Sequence, residues 1–348
     1  MKGKASIAII LFLIVIMTSF FIIRSNASKR IKNNEIQGEE LVIYSAHPIE
    51  LLRPLIQEFE SRTGIWVRVK SGGTGELINQ IESEQDEPVA DILWGGSLST
   101  LKPQMYLFEE YISKNQEFIF DEFKNDEGML TRFSDVPSVL MINTDLIGDI
   151  IINGYQDLLN PNLKGSIAYC SPSISSSAYE HLINMLYAMG KGNPQEGWEY
   201  VKSFCHNLGG KLLKSSTEVY QGVANGEYVV GLIYEDAAAA LVESGAHIEI
   251  IYMEEGVVST PDCIAIVNNA PHMEYARLFI DFATGYEVQT MLTTKLNRRS
   301  VRKDVADPKN LKSKEEFKII SVDDEKVYSM KKDWIHQFRE LFLNVSND

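Results

Sequence analysis

The chain has 348 residues, of which 45% are hydrophobic and 23% charged, and its formal net charge is −15. This length and composition predict about two folded domains with large apolar cores and exclude a disordered or collagen-like chain. The acidic excess argues against nucleic acid as a partner.

The first 27 residues differ from the rest of the chain. Lys2 and Lys4 precede an apolar and small-residue run from Ala5 to Ile23, and small residues follow at 25–27. This pattern is typical of a secretory signal peptide, and the run is also long enough for an uncleaved membrane anchor. Both interpretations predict export, with residues 28–40 as a polar linker to the folded part.

Three predicted strands begin the folded part, at Leu41–Tyr44, Ile65–Val69 and Ala90–Leu93. Each precedes a loop of small and polar residues, and the third loop is 94–97. In an α/β sheet, ligands bind outside the carboxyl ends of the strands, where the N–H groups of helix N-termini favour an anion. The three loops together predict one side of a ligand cleft, although an ordinary tight turn explains each loop taken alone.

The middle of the chain predicts a second α/β lobe, with strands at Val139–Asn143, Ser166–Cys170 and Tyr228–Ile233. The second strand is followed by three serines, Ser175–Ser177, and another hydroxyl-rich helix start follows at 215–217. One serine suffices to cap a helix, whereas three in a row offer additional hydroxyl donors to an anion. Both the capping and the anion-binding interpretation apply to these loops.

Charged residues and cysteines allow further alternatives. Glu235 and Asp236 have two interpretations. Either they lie at a helix start, where the helix dipole stabilises negative charge, or they accept hydrogen bonds from ligand hydroxyls or a ligand amine. The basic turn 297–302 either reaches the cleft or pairs with surface acids. Cys170 and Cys205 are the pair most consistent with a disulfide, and three buried free thiols are the alternative.

The C-terminal part returns to the first lobe. A strand is predicted at Cys263–Val267 and a helix at Met273–Phe282. Two helical patterns between residues 315 and 343, separated around 322–329, are expected to pack on the outside.

The order of these segments resembles a known family. The chain contains, in succession, YSAHP, FESRTGIWVRV, SGGTGELINQIESE, ADILWGG and VPSVLMINTDLI. This succession is similar to that of the periplasmic solute-binding proteins of ABC importers, in the branch that binds ferric iron, phosphonates or sugar phosphates. The resemblance covers residues 40–305 and implies a two-lobed α/β fold, type II-like, with a hinge and a ligand cleft between the lobes.

The resemblance implies lobe 1 at 41–138 and 259–310, lobe 2 at 139–258, and C-terminal helices at 311–348. The predicted ligand-binding residues come from loops of both lobes. They are Ser45, His47, Gly73, Thr74, Gly75, Trp94, Gly95, Gly96, Ser97, Ser175, Ser176, Ser177, Ser215, Ser216, Glu235 and Asp236.

The resemblance also implies a function without catalysis. We expect a monomer that captures a small anionic solute, needs no cofactor, and delivers the solute to an ABC permease in the cytoplasmic membrane. The hydroxyl-rich loops and the Tyr234-Glu235-Asp236 segment favour a hexose phosphate, with an aminoalkyl-phosphonate as the alternative. Ferric-binding members carry two adjacent tyrosines at this segment, so ferric iron ranks third. A membrane-anchored sensor ectodomain is the alternative class of protein.

Enzyme signatures are missing from the sequence. It contains no G-x-S-x-G, H-E-x-x-H or G-x-x-x-x-G-K-[ST] motif, and no G-x-G-x-x-G motif after a strand. We therefore predict a binding protein.

Overall fold

The computed structural model describes residues 40–345. The predicted signal peptide or anchor at 1–27 lies outside the described residues, as does the predicted linker at 28–40 except for Glu40, which is the first residue of a strand. Among the described helices, each is too short or too polar to cross a bilayer.

The described residues form nine strands and ten α-helices. The strands are β1 (Glu40–Ser45), β2 (Trp66–Ser71), β3 (Ile92–Ser97), β4 (Thr131–Asn143), β5 (Ile167–Ala168), β6 (Val230–Tyr234), β7 (Ile248–Ile251), β8 (Ser259–Ile266) and β9 (Arg299–Ser300). The helices are α1 (Ile49–Thr63), α2 (Thr74–Ser83), α3 (Leu98–Leu101), α4 (Ser176–Met189), α5 (Trp198–Asn207), α6 (Ser216–Ala224), α7 (Glu235–Glu243), α8 (Met273–Ala283), α9 (Tyr286–Lys295) and α10 (Asp324–Val345).

Lobe 1 is built on the sheet β2-β1-β3-β8-β4. Strand β1 is parallel to β2 and β3, whereas β8 runs antiparallel to β3 and β4. One face of the sheet packs against α1 and α8 around Phe59, Trp94 and Phe279, and the other packs against α2 around Leu77. This arrangement brings the ends of β1, β2 and β3 to one edge of the lobe.

Lobe 2 is built on a second sheet, in which β6 and β7 flank the second half of β4 and β5 joins β6 in parallel. Helices α4, α5 and α6 bury apolar faces in the core of this lobe. The C-terminal helix α10 adds Trp334 and Phe338 to the same core. Residues 324–345 therefore form one helix on lobe 2, so the prediction of a break near 322–329 is wrong.

Strand β4 crosses from one lobe to the other. It pairs with β8 up to Pro137, which lies opposite Ser259, and with β6 from Ser138, which lies opposite Tyr234. The predicted strand Val139–Asn143 is therefore the second half of a 13-residue strand. The other crossings are the segment that enters β8 and the segment between β9 and α10. These three crossings form the hinge.

The fold corrects one further prediction and decides between two alternatives that the sequence left open for the cysteines. Residues 94–97 continue β3 instead of forming a loop, because Trp94 pairs with Ile264 and Ser97 with Asp262 of β8. Gly95 and Gly96 between them adopt φ angles of +111° and +110°, which other residues rarely adopt. The pairing of β3 with β8 shifts register there, as expected for a bulge. Cys170 and Cys205 are buried free thiols, as is Cys263, and they form no disulfide.

Candidate functional site

A cavity of about 410 Å³ lies between the two lobes, at the edge where the strands of lobe 1 end. Residues of both lobes line it. From the predicted set they are Ser45, His47, Gly73, Thr74, Gly96, Ser175, Ser176, Ser177, Ser215, Ser216 and Asp236. The structure therefore brings most of the predicted site residues to one place.

Three of the helices that begin at this cavity start with a hydroxyl residue. Helix α2 starts at Thr74, α4 at Ser176 and α6 at Ser216, and all three residues line the cavity. The first turn of a helix leaves backbone N–H groups without partners inside the helix and carries the positive end of the helix dipole. Three helix N-termini that converge on one cavity make it suitable for an anion.

The serines of these helix starts have different tasks. The Ser175 hydroxyl accepts a hydrogen bond from the Ala178 amide at 3.3 Å, and the Ser215 hydroxyl accepts one from the Glu218 amide at 3.1 Å. These two serines are the helix caps. The Ser177 hydroxyl lies instead 3.0 Å from the hydroxyl of Ser216. The Ser177 and Ser216 hydroxyls also lie 3.0 Å and 2.8 Å from the Ser175 hydroxyl, so these three side chains form one hydroxyl cluster at the cavity.

The lobes touch across the mouth of the cavity. The Ser176 hydroxyl donates a hydrogen bond to the Thr74 hydroxyl at 3.1 Å, which joins α4 of lobe 2 to α2 of lobe 1. Beside it, a Cβ atom at Gly75 would lie 2.5 Å from the Ser173 carbonyl oxygen. Only glycine permits this approach, so Gly75 serves lobe contact and does not line the cavity. The structure is a closed arrangement of the lobes.

A buried arginine forms the opposite wall of the cavity. Arg298, which is 2% exposed, donates to the Ser134 hydroxyl at 2.6 Å, to Asp236 at 2.6 Å and to Asp262 at 3.1 Å. His47 Nε2 lies 2.9 Å from Asp262 Oδ2. Of the two interpretations of the basic turn, the one in which an arginine reaches the cleft is therefore right for Arg298. This wall carries alternating charges, in contrast to the hydroxyl-rich helix starts.

The remaining predicted site residues lie outside the cavity lining. Trp94 is buried beneath His47, with 5.7 Å between the ring centroids, and Gly95 lies against the same imidazole. The Ser97 hydroxyl accepts a hydrogen bond from the Thr100 amide at 3.2 Å and caps α3. These residues support the cavity from behind, because β3 continues through them.

Glu235 also lies away from the cavity, and its predicted role requires correction. Its two carboxylate oxygens accept hydrogen bonds from Arg299, each at 2.8 Å, and one also accepts from the Tyr252 hydroxyl. Glu235 is 1% exposed. Of the two adjacent acids only Asp236 faces the cavity, because successive residues in the first turn of α7 point in different directions.

Some cavity residues were missed by the sequence analysis. Asp262, Lys214, Tyr220 and Glu76 line the cavity together with residues already named. Asp262 carried a usable signal, since it is the one charged residue in the strand segment STPDCIAI. A carboxylate inside a buried strand needs a partner, and Asp262 has both Arg298 and His47.

Tyr234 lines the cavity at the end of β6. Burial raises the pKa of its phenol well above the ordinary value of 10.0, and the nearby carboxylates of Glu180 and Asp262 raise it further. The phenol is therefore neutral over the physiological pH range. Within residues 40–345, no group of three or more His, Cys, Asp or Glu side chains is arranged to hold a metal ion.

Glu180 provides a pH-dependent test of the region behind the cavity. It lies one turn after Ser176 in α4, is 1% exposed, and accepts a hydrogen bond from the Thr260 hydroxyl at 2.8 Å. Burial raises the pKa of its carboxyl above 4.5. The folded carboxyl therefore keeps its proton to higher pH than the unfolded one, and the stability that it contributes is full below 4.5 and is lost as the pH rises through the folded pKa.

We accordingly expect Glu180→Gln to raise the free energy of unfolding at pH 7.5 by about 1–3 kcal/mol, because the variant buries no charge. The gain should shrink towards zero near pH 4. Urea unfolding of the wild type and the variant at both pH values measures it. A gain that is independent of pH would contradict the assignment of the effect to this carboxyl. Glu274→Gln on the exposed face of α8 is the control.

Two hinged α/β lobes that close over a cavity lined by helix N-termini define a two-lobed solute-binding protein. A family model described as bacterial extracellular solute-binding protein matches residues 41–295. The chain belongs to this family and is a periplasmic solute-binding protein of the ABC-importer type, which confirms the predicted resemblance and fold. Members of the family are binding proteins and not enzymes.

Several known proteins are similar to this chain. The structure of the periplasmic binding protein AfuA from Actinobacillus pleuropneumoniae, with fructose-6-phosphate bound, superimposes with a TM-score of 0.79 at 24% identity, covering 88% of this chain and 99% of that chain. Iron uptake protein A1 of Synechocystis sp. is 23% identical over 297 residues, 81% of each chain. A putative 2-aminoethylphosphonate-binding periplasmic protein of Salmonella typhimurium is 24% identical over 306 residues, 79% of this chain and 80% of that protein. Identities this low establish the fold and leave the solute open.

Proposed function

We propose that this protein is the substrate-binding component of an ABC importer and captures a small phosphorylated solute, with a hexose phosphate favoured, in the cavity between its lobes. The observation that carries the proposal is the convergence of three helix N-termini with hydroxyl side chains on one cavity. A phosphate ester presents several anionic oxygens, which N–H and O–H donors recognise in short, charge-assisted hydrogen bonds. The exposed Lys214 adds a cation at the cavity lining.

The charged wall supports a solute with hydrogen-bond donors at its other end. Both oxygens of Asp262 already accept hydrogen bonds, from the Gly96 amide and from Arg298, whereas Arg298 donates only to Oδ2 of Asp236. Asp236 Oδ1 is therefore the carboxylate oxygen that can accept from a hydroxyl group of the solute. A hexose phosphate offers an anion to the helix starts and hydroxyls to this wall. An aminoalkyl-phosphonate also fits, since its amine pairs with a carboxylate, and it is the second candidate.

Ferric iron fits the cavity less well. Hard Fe(III) prefers several anionic oxygen ligands around one ion. The neutral Tyr234 phenol costs energy to ionise, Glu235 is held by Arg299, and Asp236 and Asp262 are held by Arg298. The donors that converge from the helix starts would face a cation unfavourably.

The proposal predicts a selective thermal-shift pattern for the purified protein. Glucose 6-phosphate and fructose 6-phosphate are expected to raise the unfolding temperature, because a ligand at 100 times its Kd stabilises the folded protein by about 2.7 kcal/mol. Glucose and fructose are expected to leave it unchanged, because they lack the phosphate that the helix starts bind. Ferric salts are expected to give no stabilisation and no tyrosinate charge-transfer absorption.

The same panel contains the outcomes that contradict the proposal. Stabilisation by 2-aminoethylphosphonate but not by the hexose phosphates would move the solute to the second candidate. A coloured ferric complex that forms without phosphate would move it to iron. Inorganic phosphate shows how much of the binding comes from the anion alone.

A further inference from the structure

Two arginine–carboxylate pairs made by consecutive residues join the lobes beside the hinge. Arg298 directly precedes β9, Arg299 opens it, and both belong to lobe 1. They bind Asp236 and Glu235, the first two residues of α7 in lobe 2. The pair Arg298–Asp236 faces the cavity, and the pair Arg299–Glu235 lies behind it.

The rear pair has a fixed geometry. Arg299 Nε lies 2.8 Å from Glu235 Oε2, and Arg299 Nη2 lies 2.8 Å from Glu235 Oε1. Both side chains are almost fully buried, at 1% and 2% exposure. The Tyr252 hydroxyl also donates to Glu235, and Arg299 donates to the Lys312 carbonyl. A bidentate pair excluded from water tolerates little rotation, because separating the partners leaves uncompensated buried charges.

All three crossings of the hinge meet at Asp135, which lies beside this pair. Arg299 lies opposite Asp135 of β4, two residues before the point where β4 leaves lobe 1. The Asp135 carboxylate accepts a hydrogen bond at 2.7 Å from Ser259 of β8, the second crossing. It also pairs with Lys314 of the third crossing, the segment between β9 and α10.

We propose that Arg299–Glu235 is a positioning pair that fixes the angle between the lobes and thereby places Arg298 and Asp236 in the cavity. The pair does not touch the solute, since neither of its side chains lines the cavity. Asp236, with 16% of its side chain exposed, is the member of the adjacent pair that a solute reaches. The inference depends on the two-lobed class and not on the phosphorylated solute.

The test measures the distance between the lobes in the ligand-free protein. Gln85→Cys in lobe 1 and Lys202→Cys in lobe 2 place spin labels at exposed positions, and the native cysteines are buried. We expect Glu235→Gln to broaden the distance distribution and to add a more open population. The apparent Kd for glucose 6-phosphate should rise roughly tenfold, because the fraction of molecules in the binding-competent arrangement of the lobes falls by the same factor. Glu274→Gln, which affects an exposed pair with Arg277, should change neither quantity.

The distance distribution decides the outcome. If Glu235 only stabilises the fold, Glu235→Gln lowers the unfolding temperature but leaves the distance distribution unchanged. An unchanged distribution in this variant therefore overturns the proposal. Should that variant not fold, Arg299→Lys keeps both charges but removes the two-point contact with Glu235. It should broaden the distribution in the same direction, and an unchanged distribution overturns the proposal. Failure of glucose 6-phosphate to bind even the wild type contradicts the proposed solute, while the ligand-free distances still test the pair.

Discussion

Replacing both Ser176 and Ser177 by alanine is expected to weaken binding of a phosphorylated solute by about 3–6 kcal/mol, or roughly two to four orders of magnitude in Kd, because each lost hydrogen bond to a charged group costs about 1.5–3 kcal/mol. The fold should survive, since the cap of α4 is Ser175 and not either of these residues. Isothermal titration with glucose 6-phosphate measures the affinity, and circular dichroism checks the helix content.

Two matched variants separate binding from capping. Ser175→Ala removes the helix cap and should lower the free energy of unfolding by about 1 kcal/mol. Ser203→Ala removes an exposed hydroxyl on α5 that bonds only within its own helix and should change neither quantity. An unchanged affinity in the Ser176/Ser177 double variant would show that the Ser176 hydroxyl serves only the contact with Thr74 and the Ser177 hydroxyl only the contacts within lobe 2.

Arg298→Met is expected to lower the free energy of unfolding by about 3–5 kcal/mol, because it leaves two carboxylates in a buried site without their cation. Asp236 and Asp262 both depend on this guanidinium, and Ser134 loses its donor as well. Solute binding should weaken too, since the charged wall of the cavity loses its shape. Urea unfolding of the ligand-free protein separates the stability effect from the binding effect.

A second substitution tests the electrostatic origin of this loss. Adding Asp236→Asn to Arg298→Met removes one of the stranded charges and should recover part of the stability. Arg68→Met is the control, because Arg68 and its partner Glu40 are about half exposed and such a pair contributes at most about 1 kcal/mol. If Arg298→Met lowers the free energy of unfolding by no more than Arg68→Met does, Arg298 does not hold the cavity wall together.

The local pattern of apolar and polar residues was sufficient to predict most of the strands and helices. The apolar runs at 41–44 and 65–69 became β1 and β2, and the small-residue loops after them lead into α1 and α2 as predicted. The pattern failed where tertiary pairing decides the outcome. Residues 94–97 read as a loop because they contain two glycines, but β8 pairs alongside them and they complete β3. Likewise, Val139–Asn143 reads as a short strand, although β4 extends on the other side of Pro137 into lobe 1.

From the sequence by itself, the strands and the hydroxyl-rich helix starts could be predicted, because hydrophobic periodicity and helix-start residues act over a few positions along the chain. The class of protein and its two-lobed fold followed from the resemblance of the segment order to a known family. Only the tertiary structure decided which charged residues face the solute. Glu235 and Asp236 are neighbours in sequence, yet one is buried against Arg299 and the other lines the cavity with Arg298. Their partners lie about 60 residues away along the chain, and the energy of a charge depends on burial and on the partners that folding brings to it.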